Sequence, residues 1–425
     1  MTKFSCERYF PATLQFSSTE REKYVRLAHD LVTEVLDEYA EYRTEPHDAH
    51  SSAPMSMSVV DPLEWKAVAR EGDLTRPAYT QRLRRPGGDY VTIEAKNRIP
   101  TLLVVGTLRG RLNDTMYGAF ADSDHSFRVR SSYLDVELED SKLLYTFENA
   151  SLEEPFRFCG LLWGVNVKHM GLRRRDNVLL MASGTTTSKQ GDRIGYTVVH
   201  SVDIPELRPL TQYKIERAYG SLVFVKRQLD EQTVEMFQRG FFTAMGDIPE
   251  FAITTALIRG MVRAGSATIE ASLSKKLFWM LQDAARLRLQ NAKADDDNAL
   301  AAATESECGG GCKARLSSRS SKGTCMICRK LVCSNCRVNR KITIEATAES
   351  VLQKTLSFCA LCVTVARNTS ALTIATREVL EREARDAVSS FRSTASSHSS
   401  LESPLTAESA VASRRQAHVQ FKSES

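Results

Sequence analysis

No apolar run in this chain approaches about eighteen residues, so nothing in it reads as a segment that spans a membrane. Histidine is scarce, with eight in 425 residues, and His125, His169 and His200 fall in separate stretches with no nucleophile pattern beside them. A phosphate loop and a dinucleotide fingerprint are both missing. The usual local signatures of catalysis are therefore absent, and an enzyme is not expected. No secretory signal opens the chain, which argues against a disulfide framework and for a cytoplasmic protein. The basic stretch KGTCMICRKLVC has no aromatic residues among its charges, so nucleic acid is not an expected partner. Cysteine is nearly absent outside one region: Cys6 lies near the start, and Cys159 sits in the apolar phrase FRFCGLLWG, where a buried thiol is the ordinary reading.

The other eight cysteines form four close pairs, Cys308/Cys312, Cys325/Cys328, Cys333/Cys336 and Cys359/Cys362. Three are C-x2-C, a spacing that points two thiolates at one ion from a tight knuckle, and the first is the looser C-x3-C of CGGGC. Eight ligands at four per tetrahedral ion make two zinc sites, and with no histidine in the interval both are all-cysteine. Only four residues separate Cys328 from Cys333, so successive pairs are too close to fold as independent beads. Interleaving gives Cys308, Cys312, Cys333 and Cys336 to the first zinc and Cys325, Cys328, Cys359 and Cys362 to the second. The segment is poor in apolar residues, so metal-binding energy, on the order of 10 kcal/mol or more per structural zinc, becomes its folding energy. A chelator is expected to unfold this segment and little else.

The run from Cys312 to Cys336, with TCMICRKLVCSNC as its most specific part and a late C-x2-C to close it, resembles a FYVE-type zinc finger. Fingers of that family that read phosphatidylinositol 3-phosphate carry a basic-plus-histidine run around the third cysteine and an arginine before the seventh. This chain has Ser321, Lys322, Gly323, Thr324 and Met326 at the first place and Ser357 at the second. The loop that is apolar in the family reads KARLSSRSSKGT, with Leu316 alone. Selectivity for the 3-phosphate is therefore not expected. Between Cys308 and Cys362 ten Lys/Arg stand against two Glu, a net of +8, which thiolate ligation reduces. That charge allows weak contact with an anionic membrane surface, or is simply a solvated face. A RING ubiquitin-ligase finger is the rival cross-brace, but it has a central histidine and a shorter spacing before the third pair.

Upstream, 42% hydrophobic and 26% charged residues describe a soluble globular protein with ample core. Residues 19–43 read as an amphipathic helix, with Thr19 and Glu22 at capping-box spacing and Tyr24, Leu27, Leu31, Val35 and Tyr39 on one face. Strand-like pieces follow around Trp65–Val68, Tyr79–Leu83 and Tyr90–Glu94, then PTLLVVGTLRG and two short helices, Asn113–Phe120 and Ser123–Tyr133. Six β-rich runs come next: Lys142–Phe147, Phe156–Val167, Asn177–Ser183, Ile194–Val202, Tyr213–Val225 and Val234–Thr243. Their lengths suit one curved antiparallel sheet. Gly246, Asp247, Ile248 and Pro249 then start a helix to about Ile269 whose face of Ile253, Leu257, Gly260, Met261 and Ala264 is apolar and small. A second helical stretch, Ser272–Lys293, precedes the acidic ADDDNALAAATESE.

This order of elements resembles the START family, as do the phrases LLVVGTLRGRLNDTMYG, RRRDNVLLMASG, YTVVHSVDIPELRPL and FFTAMGDIPEFAITTALI. The resemblance implies a helix-grip fold in which a bent sheet and a long C-terminal helix enclose one lipid or other apolar molecule. It also implies that Ile253, Leu257, Met261 and Ala264 line that space. Arg175 and Asp176 match the family's Arg-Asp pair, whose arginine faces the cavity in some members; within RRRD they read more readily as an exposed arginine cluster than as a ligand contact.

The fold class is thus α+β: residues 1–17 lead into a START-like domain over 18–285, followed by a linker at 286–305 and a cross-brace finger at 306–366. A helix over 367–391 and a disordered tail at 392–425, ten of whose thirty-four residues are serine, complete the chain. The function expected is non-enzymatic lipid binding or adaptor work, in the cytoplasm and peripherally on endomembranes, with two zinc ions and a protein partner on the finger or tail. The alternative is a RING-like ubiquitin ligase or interaction adaptor that uses the finger.

Overall fold

Alternation of apolar and polar residues along successive runs builds one large sheet. In the computed structural model its strands are β1 (Trp65–Arg70), β2 (Pro77–Gln81), β3 (Leu102–Arg109), β4 (Leu138–Glu148) and β5 (Phe158–Asn166). They continue as β6 (Arg174–Thr187), β7 (Arg193–Ser201), β8 (Ile215–Arg217), β9 (Tyr219–Asp230) and β10 (Thr233–Thr243). The order is β1-β2-β3-β10-β9-β7-β6-β5-β4, antiparallel throughout, with β8 parallel to β6 off this path. The structure describes residues 9–10, 14–44, 65–70, 77–81, 101–134, 138–166, 173–243, 250–294, 307–312, 314–316, 322–347 and 350–397. The expected strand Tyr90–Glu94 and the helix start at Gly246–Pro249 lie outside the described residues. The single strand expected over Tyr213–Val225 divides in two, because Arg217 turns into the sheet toward Asp176 and the Ala218 N–H donates to the Asp176 carbonyl at 2.9 Å.

One face of the sheet is closed by α1 (Ser18–Thr44), where Val32, Val35 and Tyr39 are buried against Leu161, Val178, Leu180, Val198, Val223 and Val225. Each such side chain contributes roughly 1.5–3 kcal/mol of burial. The helix begins two residues earlier than its capping signal suggests: the Ser17 N–H donates to Glu20 Oε2 at 2.8 Å, and the Glu20 N–H to Ser17 Oγ at 3.3 Å. Upstream of it, Phe10 and Leu14 belong to the same core, with the Phe10 ring 4.7 Å from that of Trp163. At the far end Tyr39 and Arg227 meet the Glu235 carboxylate, which fastens the helix to β9 and β10.

The opposite, inner face is overlaid by α2 (Leu112–Ala119), α3 (Asp124–Tyr133) and α4 (Glu250–Ala294). The 45-residue α4 is continuous where the sequence suggested two helical stretches, and it runs on through residues 286–294. Within its run of small and hydroxyl residues Ser266 Oγ and Thr268 Oγ1 donate back to the carbonyls of Arg263 and Gly265 at 3.1 and 2.7 Å, which satisfies the hydroxyls inside the helix. Ile258, Met261 and Val262 pack on Leu102 and Val104, and α2 lies so close that a Cβ on Gly118 would stand 1.8 Å from the Thr268 carbonyl oxygen. Gly118→Ala is therefore expected to lower stability by roughly 3 kcal/mol, since a backbone atom cannot give way cheaply. An unchanged denaturation midpoint would contradict this contact.

Downstream, β11 (Lys322–Thr324) pairs with β12 (Leu331–Cys333) and β13 (Arg337–Ala346) with β14 (Val351–Cys359). They are followed by α5 (Ala360–Asn368) and α6 (Ala371–Ser397), the latter including residues 392–397 of the expected tail. Met1–Arg377 forms one compact unit and Glu378–Ser425 a second. No helix among the described residues is long and apolar enough to cross a membrane.

Candidate functional site

The eight clustered cysteines gather as Cys308, Cys312, Cys333 and Cys336 and as Cys325, Cys328, Cys359 and Cys362, with all sulfurs of a set within 4.8 Å of one another. Cys312 Sγ lies 3.7 Å from Cys333 Sγ, and Cys328 Sγ 3.9 Å from Cys359 Sγ. The edge of a tetrahedron with Zn–S bonds of about 2.3 Å is about 3.8 Å, so both sets are positioned to hold a metal ion. A disulfide needs about 2.05 Å, and every described cysteine is a free thiol. Backbone amides orient the sulfurs: Cys333 N–H donates to Cys308 Sγ and Cys362 N–H to Cys359 Sγ, both at 3.3 Å. The glycines of CGGGC serve the same packing. A Cβ on Gly310 would meet Cys336 Cβ at 2.4 Å, and Gly311 holds a left-handed φ of +96°.

The finger is not a bead on a linker. Its core around Cys325, Val332, Ile342, Phe358 and Val363 includes Leu273 and Leu277 of α4. Between those two leucines, the buried Lys276 Nζ pairs with Asp114 at 2.7 Å and donates to the Thr369 carbonyl at 2.8 Å. Arg288 Nη2 donates to the Ile327 carbonyl in the second knuckle at 2.9 Å. The helix α3 is held as well, where the Thr343 N–H donates to Tyr133 Oη at 2.7 Å and Gln353 Nε2 to the Ser132 carbonyl at 3.1 Å. The expectation that metal loss unfolds the finger and little else is therefore corrected: the same leucines complete the finger's core and anchor the helix that covers the sheet.

That sheet's inner face is built in rows by its register. Gly106, Met236, Lys226, Gly195 and Thr185 stand side by side. Val104, Gln238, Phe224, Thr197, Ser183 and Phe158 form the next row, and Leu102, Gly240, Leu222, Val199, Met181 and Gly160 the third. On the outer face of the central strands Val223, Val225, Val198 and Leu180 are fully buried. On the inner face Phe224, Val199 and Leu179 are half-buried, as is Leu222, which packs against Ile258, Met261 and Val262 of α4. The helices touch the first row at its flanks: a Cβ on Gly195 would meet Met116 Sδ of α2 at 2.5 Å, and one on Gly265 of α4 would meet Met236 Sδ at 2.5 Å. Lys226 lies between these two contacts.

Lys226 is 2% exposed and Gln238 0%, and neither amphipathic pattern nor motif marked them in the sequence. The available signal was phase, since Lys226 falls on the same side of its strand as Leu222 and Phe224. Burial, and next the positive charge of Arg130, push the Lys226 ammonium down to about 8. Burial alone pushes Arg130 down to about 10. The Arg130 guanidinium sits over the Phe127 ring at 4.6 Å. The buried side-chain polar atoms without a hydrogen-bond partner among the described residues are Arg130 Nε, Ser131 Oγ, Asn177 Oδ1, Thr197 Oγ1 and Gln238 Oε1. Three belong to the inner face of the sheet and two to α3.

Of the residues singled out in the sequence, Met261 is buried and Leu257 half-buried in the cluster between α4 and β3, Ala264 is half-buried, and the Ile253 side chain lies outside the described residues. Arg175 is 7% exposed, with Nη1 donating to the Arg173 carbonyl at 2.5 Å, so it is not part of an exposed cluster; Arg173 alone of the triple is exposed. Asp176 faces the other way and is bound by Trp163 Nε1 at 2.9 Å and by Arg217 Nε and Nη2 at 3.0 and 2.9 Å.

No protein-family model matches the chain, and no curated protein matches it. Among solved structures it is similar to human StAR-related lipid transfer protein 5, at 13% identity and a TM-score of 0.40 over 59% of this chain and 97% of that one. It is also similar to human STARD10, at 12% and 0.36 over 50% and 74%. A third is the human StarD13 (DLC2) lipid transfer and protein localization domain, at 11% and 0.35 over 56% and 96%. Likeness this distant carries no inference about function. In its own topology the chain is an α+β protein, a large antiparallel sheet with a long helix laid across its inner face.

Proposed function

We propose that this chain is a non-enzymatic carrier that shelters a lipid in the hollow between the inner face of its sheet and the helices α2, α3 and α4. One observation carries the reading: at the centre of the sheet Val223, Val225, Val198 and Leu180 are sealed on the outer face, whereas Phe224, Val199 and Leu179 are left half-buried on the inner one. A fold that needed only a core would fill that side too. An acyl chain of about sixteen carbons is worth roughly 12 kcal/mol of burial at about 0.8 kcal/mol per methylene, in a membrane as much as in a protein. Transfer between the two is then near balance, and polar groups inside set selectivity.

The finger, in this reading, is a divergent FYVE-type module holding two structural zinc ions, since four thiolates around each leave no open position for catalysis. Its work is to brace α3 and α4. Thiolate ligation suits a reducing compartment, so the protein acts in the cytoplasm and meets endomembranes peripherally, with at most weak, salt-sensitive attraction of the basic finger to anionic lipid.

The test is uptake from vesicles of total cell lipid by the full-length chain, followed by re-isolation and quantification of what remains bound. Val199→Trp adds bulk to the hollow at a half-buried position and is expected to abolish uptake while the chain stays folded. Leu257 and Met261 are less suitable positions, because they already pack against β3. Undiminished uptake by the folded variant would place the lipid elsewhere.

A further inference from the structure

Three buried or half-buried cations among the described residues have carboxylates to meet them: Arg217 has Asp176, Arg227 has Glu235 and Lys276 has Asp114. Lys226 and Arg130 do not. Among the described residues neither has a hydrogen-bond or ion-pair partner, and they are close enough that one disfavours the charge of the other. The row of Lys226 and the next two on the inner face, those of Phe224 and Leu222, contain no aspartate or glutamate. A buried ammonium near a half-buried guanidinium, with no counterion, is an arrangement a fold keeps only where something else brings the negative charge.

We propose that the sheltered molecule is an anionic amphiphile whose carboxylate or phosphate sits between Lys226 and Arg130, with its tail along Phe224, Leu222 and Val199. This rests on the carrier reading and adds the chemistry of the headgroup. The neutral groups around the pair fit an anion's needs. The hydroxyls of Thr197 and Ser131 are unpartnered and can donate, and Thr197 stands in the row next to that of Lys226. The apolar residues lie on the side of the row away from α2, so the charged end points under the α2–α4 contact and the tail runs down the sheet. A zwitterionic headgroup is disfavoured here, because its own cation would add a third positive charge to the same enclosure.

The experiment compares probes that share a tail and differ in charge, titrated into the full-length chain: oleate against oleyl alcohol for a carboxylate, and oleoyl lysophosphatidate against monoolein for a phosphate. At least one anionic member should bind roughly ten- to a hundredfold more tightly than its neutral partner. Lys226→Met should erase that difference without weakening the neutral probe, and Lys226→Arg should retain it. Ligand-free Lys226→Met should also melt at a higher temperature than the parent, because an unmatched buried charge is gone; a lower melting temperature would mean that the protein itself pairs Lys226, and would overturn the proposal. Equal binding of charged and neutral probes, unaffected by Lys226→Met, overturns the anionic headgroup and leaves the carrier reading standing. Failure of every probe, together with no uptake from vesicles, overturns both.

Discussion

Stripping both metal ions from the full-length chain is expected to unfold the finger and, with it, the second half of α4. Freshly reduced protein should contain two zinc ions per chain, one for each four-cysteine set. Each structural zinc contributes on the order of 10 kcal/mol or more to the segment it organises, so the finger does not survive its removal. What then happens to α4 follows from its contacts. Leu273 and Leu277 lose the finger core that covers them, a loss of roughly 1.5–3 kcal/mol each. Lys276 keeps Asp114 but loses the carbonyls of Arg367 and Thr369. Hydrogen exchange after chelation should therefore show protection falling across the finger and from about Leu273 onward, while Ile258–Val262 and the sheet stay protected by their own packing. Loss confined to the finger would mean that it is an independent bead.

The second large effect is expected from Asp176. Its carboxylate is fully buried, takes two bonds from Arg217 and one from the Trp163 indole, and so ties β5, β6 and β8 together on the outer face. Asp176→Asn leaves the Arg217 guanidinium buried without a counter-charge, which costs about 3–5 kcal/mol. The double variant Asp176→Leu with Arg217→Met should recover much of that loss, since the stranded charge is removed along with its partner. Denaturant titration of the parent, the single variant and the double variant checks both halves. A single variant within about 1 kcal/mol of the parent would show that the ion pair is marginal to the fold.

Much of this was legible from local pattern. The two cysteine sets follow from spacing alone, because four intervening residues force interleaving, and β4 to β7 and β10 follow from alternation. The short helices α2 and α3 begin and end within a residue or two of where their sequence places them. What local pattern could not supply is contact at long range. The sequence separates two helical stretches between Ile269 and Ser272, and α4 runs through that point because Gly265, Thr268 and Ser272 are packed against β10 and α2. The sequence reads Ser272–Lys293 as helical but ends the domain at 285, because nothing in it says that Arg288 will reach the second knuckle. The RRRD phrase suggested an exposed cluster, yet strand alternation sends Asp176 to one face and Arg175 to the other, both buried. Lys226 was hidden for the opposite reason. A lysine in a strand is ordinarily solvent-facing, and only the helices laid over its row make it a buried charge.

The central claim is that a molecule occupies the hollow beneath α4 while two metal ions hold the helix's far end. Native mass spectrometry of the full-length chain, purified without detergent and offered vesicles of total cell lipid, measures both at once. The mass predicted is that of the polypeptide with two zinc ions and one lipid, and the lipid should be lost from Val199→Trp while the zinc is kept. A chain that carries its two zinc ions but never gains lipid mass would contradict the account.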